Sequence, residues 1–230
     1  MRDAATVILV RDGAEGLEVY LLRRIRQLPF AGGMCVFPGG TVDPGDTATS
    51  VPRLGTWPAK LRADPAPAAA LISAAIRETF EETGVLVATT ATADLSWEPD
   101  RQALIRHDRV LAEVLVHHDA AVRPDALQLW SHWVTPEGEP RRYDTRFFLA
   151  ALPAGQNPRY VGGEAQEAMW MRPDRTAPLP MLPPTRATLG ELAAYGSVSE
   201  VVAAAAGRAP ERILPVRRGD VVELPDGTVM

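Results

Sequence analysis

Arg77-Glu78-Thr79-Phe80-Glu81-Glu82-Thr83-Gly84-Val85 is the stretch that decides the fold, and Phe37-Pro38-Gly39-Gly40 is its upstream companion. Asp64-Pro65 reads as a helix start, with Asp as cap and Pro in the first turn. The run from Ala68 to Thr83 is rich in helix formers, and Gly84 is a natural stop. At about 100° per residue, Glu78, Glu81 and Glu82 fall on one face. Ile72, Ala75, Ile76, Thr79, Phe80 and Thr83 centre on the opposite side, where they can be buried. Arg77 stands four residues before Glu81 and can pair with it. Three crowded carboxylates repel one another. They form either a solvated acidic face or a site for a hard divalent cation, which takes oxygen ligands. The glycine turn favours the second, because Gly39 and Gly40 allow the backbone to approach a ligand closely.

The two parts resemble the Nudix box, G-x5-E-x7-R-E-U-x-E-E-x-G-U, where U is apolar. Gly40 matches the leading glycine; Arg77-Glu78, Glu81-Glu82 and Gly84-Val85 match the rest. Thr79 takes an apolar slot. The spacing also departs. Counting back from Arg77 puts the first acid at Ala69, and counting forward from Gly40 puts it at Asp46. That Glu is missing or displaced, residues 41–67 read as an insert, and Asp46 substitutes if the insert folds back. A box interrupted in this way is similar to the CoA-diphosphatase-like nucleoside diphosphate-linked moiety X motif 19 subfamily. The run from Phe30 to Gly40 and the segment Leu182-Pro183-Pro184-Thr185 resemble it too. The CoA-type signature is partly present: Leu21-Leu22-Arg23-Arg24 and Phe37-Pro38-Gly39-Gly40 fit, but its histidine is absent.

The resemblance implies an α/β fold: a Nudix-type α/β/α sandwich with a mixed sheet, plus a C-terminal helical extension. Residues 1–178 would form the Nudix hydrolase domain and 179–230 the extension. The implied reaction is hydrolysis of a diphosphate linkage in a nucleoside diphosphate-linked substrate. CoA or acyl-CoA, cleaved to 3′,5′-ADP and (acyl-)4′-phosphopantetheine, is the subfamily's choice. NADH, ADP-ribose and a non-hydrolytic nucleotide sensor are the alternatives. Mg2+ or Mn2+ would be held by Glu78, Glu81, Glu82 and the Gly39 carbonyl. Glu82, Glu81 and Arg77 are the candidate catalytic residues, with Arg77 orienting a carboxylate. Gly40 would lie against substrate. Glu164 and Glu167 precede a strand, where Nudix enzymes often place a further acid or base; the alternative is a solvated loop. Arg23, Arg24 and Arg26 lead into the glycine turn and either meet substrate phosphates or form a solvated strand end.

The 230 residues suit one domain with an appendage or two small ones, with 46% hydrophobic residues and a net charge of −5. That charge argues against bulk binding to nucleic acid or an anionic membrane. No run is apolar enough to span a bilayer and no secretory signal is evident, so a cytoplasmic setting is expected. Cys35, the single cysteine, reads as structural. His107, His117, His118 and His132 lack zinc-ligand spacing, and His117-His118 reads as surface.

Strands are expected at Ala5–Val10 and Leu17–Leu22 as a hairpin, then at Met34–Phe37, Val85–Val87, Leu127–Thr135, Thr145–Leu152 and Ala165–Met171. One helix is expected from Arg101 to about His117, on the apolar positions Leu104, Val110, Leu111, Val114 and Leu115. The insert, with Pro44, Pro52, Pro58, Pro65 and Pro67, reads as loop pinned by Trp57. Thr185 is expected to cap a helix to Tyr195, and Ser197 a second ending at Gly207. These helices would pack on the main domain or make a homodimer contact.

Overall fold

The computed structural model describes residues 1–28, 31–159, 163, 165–219 and 221–229. Strand β1 (Arg2–Gly13) and β2 (Gly16–Arg24) form the expected hairpin, followed by β3 (Cys35–Val36) and β4 (Gly39–Thr41). Helix α1 (Trp57–Leu61) lies in the insert and α2 (Pro65–Thr83) carries the motif. Then come α3 (Glu98–Ile105), α4 (Leu111–His117), β5 (Gln128–Val134), β6 (Tyr143–Ala151) and β7 (Ala165–Met171). The chain ends with α5 (Pro183–Leu192), α6 (Val198–Ala206), β8 (Arg212–Ile213) and a small hairpin, β9 (Val216–Arg218) and β10 (Val221–Glu223).

The main sheet runs β3-β2-β1-β6-β5-β8, with β4 pairing β1 and β7 pairing β2. It is mixed: β1 with β6 and β5 with β8 are parallel, and the other pairs are antiparallel. Alternation along β1 divides the core in two. Ala5, Val7 and Leu9 face α2 with Ile72, Ile76 and Phe80. Ile8 and Val10 face the other way, onto Leu189 and Leu192 of α5 and Val201 and Ala205 of α6. The two C-terminal helices thus cover the sheet face opposite α2 and complete an α/β/α sandwich.

The insert is more ordered than its prolines suggest. It holds a 3-10 turn at Pro44–Ala48 and helix α1. Trp57 and Leu61 are buried, and the Trp57 ring packs 5.7 Å from that of Phe148. At its far side Arg146 of β6 donates to the Leu61 carbonyl at 3.1 Å. Arg146 also pairs with Asp144, which is hydrogen-bonded to the buried His132. His132 is therefore a core histidine with a carboxylate partner.

Three other expectations are corrected. Val85–Val87 is buried but makes no strand. Instead, the side-chain amide of Gln156 serves both backbone groups of Leu86, accepting from its N–H at 2.8 Å and donating to its carbonyl at 2.9 Å. The long helix from Arg101 is two helices, broken at Arg106–Val110, where His107 has φ +56°. Finally, α5 is capped by Leu182 with Pro183 leading, not by Thr185, and stops at Leu192.

Candidate active site

Helix α2 begins and ends as its sequence dictates. Asp64 is the N-cap with Pro65 following, and Gly84 ends the helix at φ +71°, a left-handed turn that glycine adopts without steric cost. Thr79 and Thr83 are buried in the apolar face because each hydroxyl donates to the carbonyl one turn back, Ala75 at 2.8 Å and Thr79 at 2.6 Å. A threonine in the apolar slot is thus satisfied without a partner from the sheet.

Arg77 lies at the centre of the site. The residue is 6% exposed. Nε and Nη2 donate to the two oxygens of Asp46, both at 3.0 Å, a bidentate pairing. Nη2 also meets the Thr41 carbonyl at 2.9 Å. Nη1 donates to Glu78 Oε1 at 2.9 Å and Glu81 Oε1 at 3.3 Å. Asp43 stands 4.0 Å from Nη2. Burial works against the arginine's charge, but the bonds to Asp46 and the charges of Glu78 and Glu81 outweigh it and hold the guanidinium ionised.

Asp46 fills the place of the displaced acid. It is 1% exposed and also accepts from Ser73 Oγ at 3.1 Å and from the Asp43 N–H at 2.8 Å. Counting forward from Gly40 is the correct register. The sequence contains this signal, since Asp46 lies six residues after Gly40, at the spacing the motif gives its first acid. Ser73, a small polar residue among alanines, carried no such signal.

The other parts converge from β4. Gly39 N–H donates to Glu82 Oε2 at 2.9 Å. A Cβ on Gly40 would lie 2.3 Å from Glu78 Oε1. A Cβ on Gly39 would meet backbone instead, 2.4 Å from the Ala5 oxygen and 2.7 Å from Thr6 Cα. Two different outcomes are expected. Gly40→Ala is expected to displace the Glu78 carboxylate and cut activity sharply with a small change in melting temperature. Gly39→Ala is expected to disturb the β1–β4 pairing and lower the melting temperature. Thermal denaturation with initial rates separates them, and equal melting temperatures for the two variants would contradict the distinction.

Burial, opposed by Arg77 and reinforced by Glu81 and Asp43, pushes the Glu78 carboxyl up to about 7. Burial also raises Glu81, against the pull of Arg77. The α3–α4 corner closes one side: Arg101, 2% exposed, donates to the Glu81 backbone carbonyl at 2.6 Å, and His107 lies 3.5 Å from Asp43. Neither residue showed its role in the sequence.

The remaining candidates lie on β2, on β7 and in the turn after β2. Arg23 sits opposite both Cys35 and Glu167 across β2, with its Nη1 3.8 Å from the Glu167 carboxylate. Arg24 follows at the end of the strand, its N–H donating to the Met34 carbonyl at 3.0 Å. Arg26 lies in the tight turn against Gly32 and Gly33. Glu164 lies outside the described residues, as does Phe30. Cys35 is buried, and burial raises its thiol, as suits a structural residue.

The model of the NUDT19 Nudix domain matches residues 58–179. The chain belongs to the Nudix hydrolase family, in its NUDT19-like branch. As a Nudix hydrolase it is similar to human acyl-coenzyme A diphosphatase NUDT19, at 28% identity over 88% of this chain and 68% of that protein. It is 30% identical to putative nudix hydrolase 7 of Caenorhabditis elegans, over 75% of this chain and 52% of that one. The crystal structure of a Nudix hydrolase from Alicyclobacillus acidocaldarius superposes with a TM-score of 0.73 at 28% identity, covering 88% of this chain and 96% of that one. The family match begins in the insert and includes the Arg77–Val85 half of the motif; Gly40 and Asp46 join it through the geometry above.

Proposed function

We propose that this Nudix hydrolase cleaves the diphosphate of CoA or acyl-CoA, using Mg2+ or Mn2+, to give 3′,5′-ADP and (acyl-)4′-phosphopantetheine. The observation that carries the metal-dependent reading is the charge balance around Arg77. Four carboxylates, Asp43, Asp46, Glu78 and Glu81, crowd against one buried guanidinium, and a fifth, Glu82, is held beside them on α2 by the Gly39 N–H. Hard oxygen donors in excess of positive charge, one of them raised to about 7 by burial, fit a divalent cation and little else. The substrate reading rests on the kinship with acyl-coenzyme A diphosphatase NUDT19.

In this reading Glu78, Glu81, Glu82 and the Gly39 carbonyl hold the cation. When bound, it neutralises the diphosphate oxygens and lowers the pKa of the attacking water. The chain's own residues do the rest. Arg77 positions Glu78 and Glu81 through Nη1, and Asp46 fixes Arg77 from behind. The Gly39 N–H orients Glu82. Gly40 leaves the space in which the Glu78 carboxylate sits. Arg23, Arg24 and Arg26 supply positive charge for phosphates. Glu81, Glu82 and Glu167 are the candidate general bases, Glu81 and Glu82 on the motif helix and Glu167 on β7, 3.8 Å from Arg23. Residues 179–230 act as an extension that covers the sheet opposite the site. No helix among the described residues is long and apolar enough to cross a membrane, and the substrate in this reading is a small molecule.

The deciding experiment is product chromatography with Mg2+ or Mn2+ and a panel of CoA, acetyl-CoA, NADH, ADP-ribose, diadenosine polyphosphates and nucleoside triphosphates. Release of 3′,5′-ADP from CoA or acetyl-CoA is expected. Turnover of another member alone would discard the CoA assignment. Silence across the panel with tight nucleotide binding by calorimetry would replace the enzyme with a sensor.

A stability measurement bears on the same site. With its carboxyl raised from the ordinary 4.5 to about 7, ionised Glu78 disfavours the metal-free fold. That cost is absent below the ordinary value and fully present above the raised one. Glu78→Gln is therefore expected to melt higher than wild type at pH 8 in a chelator and at a similar temperature near pH 4.5, while losing activity. A lower melting temperature at pH 8 would show that burial does not dominate at Glu78.

A further inference from the structure

A second group of metal-type ligands lies away from the motif carboxylates, at the corner where α3 meets α4. Asp100, in the first turn of α3, is 6% exposed. His117 is the last residue of α4 and His118 its C-cap. His118 Nε2 lies 2.8 Å from Asp100 Oδ2, and His117 Nδ1 lies 3.4 Å from the same oxygen. One donor atom from each of the three residues falls within 4.8 Å of the others. A tetrahedral site with metal–ligand bonds of about 2.0–2.1 Å has edges of about 3.3 Å, and both imidazole distances to Asp100 Oδ2 lie within about 0.5 Å of that edge.

The corner is built rather than loose. The His118 ring stacks on Trp97 with centroids 3.5 Å apart and planes 9° from parallel. Trp97 is itself buried and meets Phe80 of α2 edge-on. Arg109 binds the other carboxylate oxygen, Oδ1, at 2.5 Å, which turns Oδ2 toward the two imidazoles. His117 is 58% exposed along its side chain, leaving one side open to water. Two imidazoles and one carboxylate suit borderline cations and are poor ligands for Mg2+.

We propose that Asp100, His117 and His118 form a binding site for a borderline divalent cation such as Zn2+ or Co2+, independent of the carboxylates on α2. Its place gives it a role. Arg101, the next residue after Asp100, grips the Glu81 carbonyl, so an ion joining α3 to α4 would stiffen the corner that holds the end of the motif helix. Arg109 is a cation already there, 3.5 Å from His117 Nδ1. It opposes a bound dication and must move back.

The test is a Co2+ titration followed by visible absorption, in protein carrying Glu78→Gln and Glu82→Gln so that the carboxylate site does not contribute. A strong tetrahedral cobalt band saturating at one equivalent is expected, with Zn2+ competing for it. Adding His117→Ala, a change at a largely exposed side chain, should weaken Co2+ at least tenfold with an unchanged circular dichroism spectrum. Adding Arg109→Gln should tighten it. Absence of the band, or a band that His117→Ala leaves unaltered, would overturn the proposal and leave the corner as an ion-pair knot.

Discussion

Glu82→Gln is expected to lower kcat by about a thousandfold, the scale on which losing several kcal/mol of charge stabilisation at phosphorus is felt. The fold should be unaffected. Glu82 accepts a hydrogen bond from the Gly39 N–H at 2.9 Å, and a glutamine oxygen accepts it equally well. The substitution therefore removes charge while keeping shape. Circular dichroism and melting temperature should match wild type, and titration with Mn2+ should show weakened binding. Wild-type turnover by a folded Glu82→Gln protein would remove Glu82 from the set of metal ligands and move the chemistry elsewhere on the helix.

Arg77→Ala is expected to behave in the opposite way, damaging fold and activity together. Asp46 is 1% exposed and takes both of its arginine bonds from this one side chain. Removing one partner of a buried ion pair leaves the other charge uncompensated, at a cost of about 3–5 kcal/mol. Glu78 and Glu81 lose the same cation. Denaturant unfolding without metal should show the loss. The Arg77→Ala, Asp46→Ala double variant should recover part of it, because the second change deletes the stranded charge. Strict additivity of the two single losses would mean that Asp46 does not depend on Arg77. It would also return the motif's first acid to the status of missing.

Much of this architecture was legible in the residues, for physical reasons that differ from element to element. The motif helix announced itself through its cap, its stop glycine and a carboxylate face opposite an apolar one. The hairpin and the strands β5 to β7 were visible as β-branched and aromatic runs. The errors came where two structures share one pattern. Leu104 and Leu111 are seven residues apart, two helical turns, so a continuous helix and a helix broken at His107 bury the same positions. Val85–Val87 has the composition of a strand, but both backbone groups of Leu86 go to Gln156, a side chain 70 residues away, and the Val85 N–H goes to the Thr83 hydroxyl. Arg101 is one of many arginines in sequence and one of few buried arginines in space. Its contact with a helix-end carbonyl is a long-range fact that no local spacing encodes. The position of Asp46 was arithmetic, but choosing between it and Ala69 needed the fold.

The interruption of the motif has a consequence for how this chain tolerates change. The Asp46–Arg77 pair spans 31 positions, against about eight in an uninterrupted box. Closing the longer loop costs only about 1 kcal/mol more, because the entropy penalty grows with the logarithm of length. Burying a side chain such as Trp57 or Leu61 returns at least about that much. The ion pair thus acts as a clasp: once it is shut, the length of chain looped out between its halves is nearly neutral for stability. The segment between Asp46 and α2 is therefore free to drift in length at its exposed residues, as long as Trp57 and Leu61 stay buried, while the carboxylates on α2 keep their geometry.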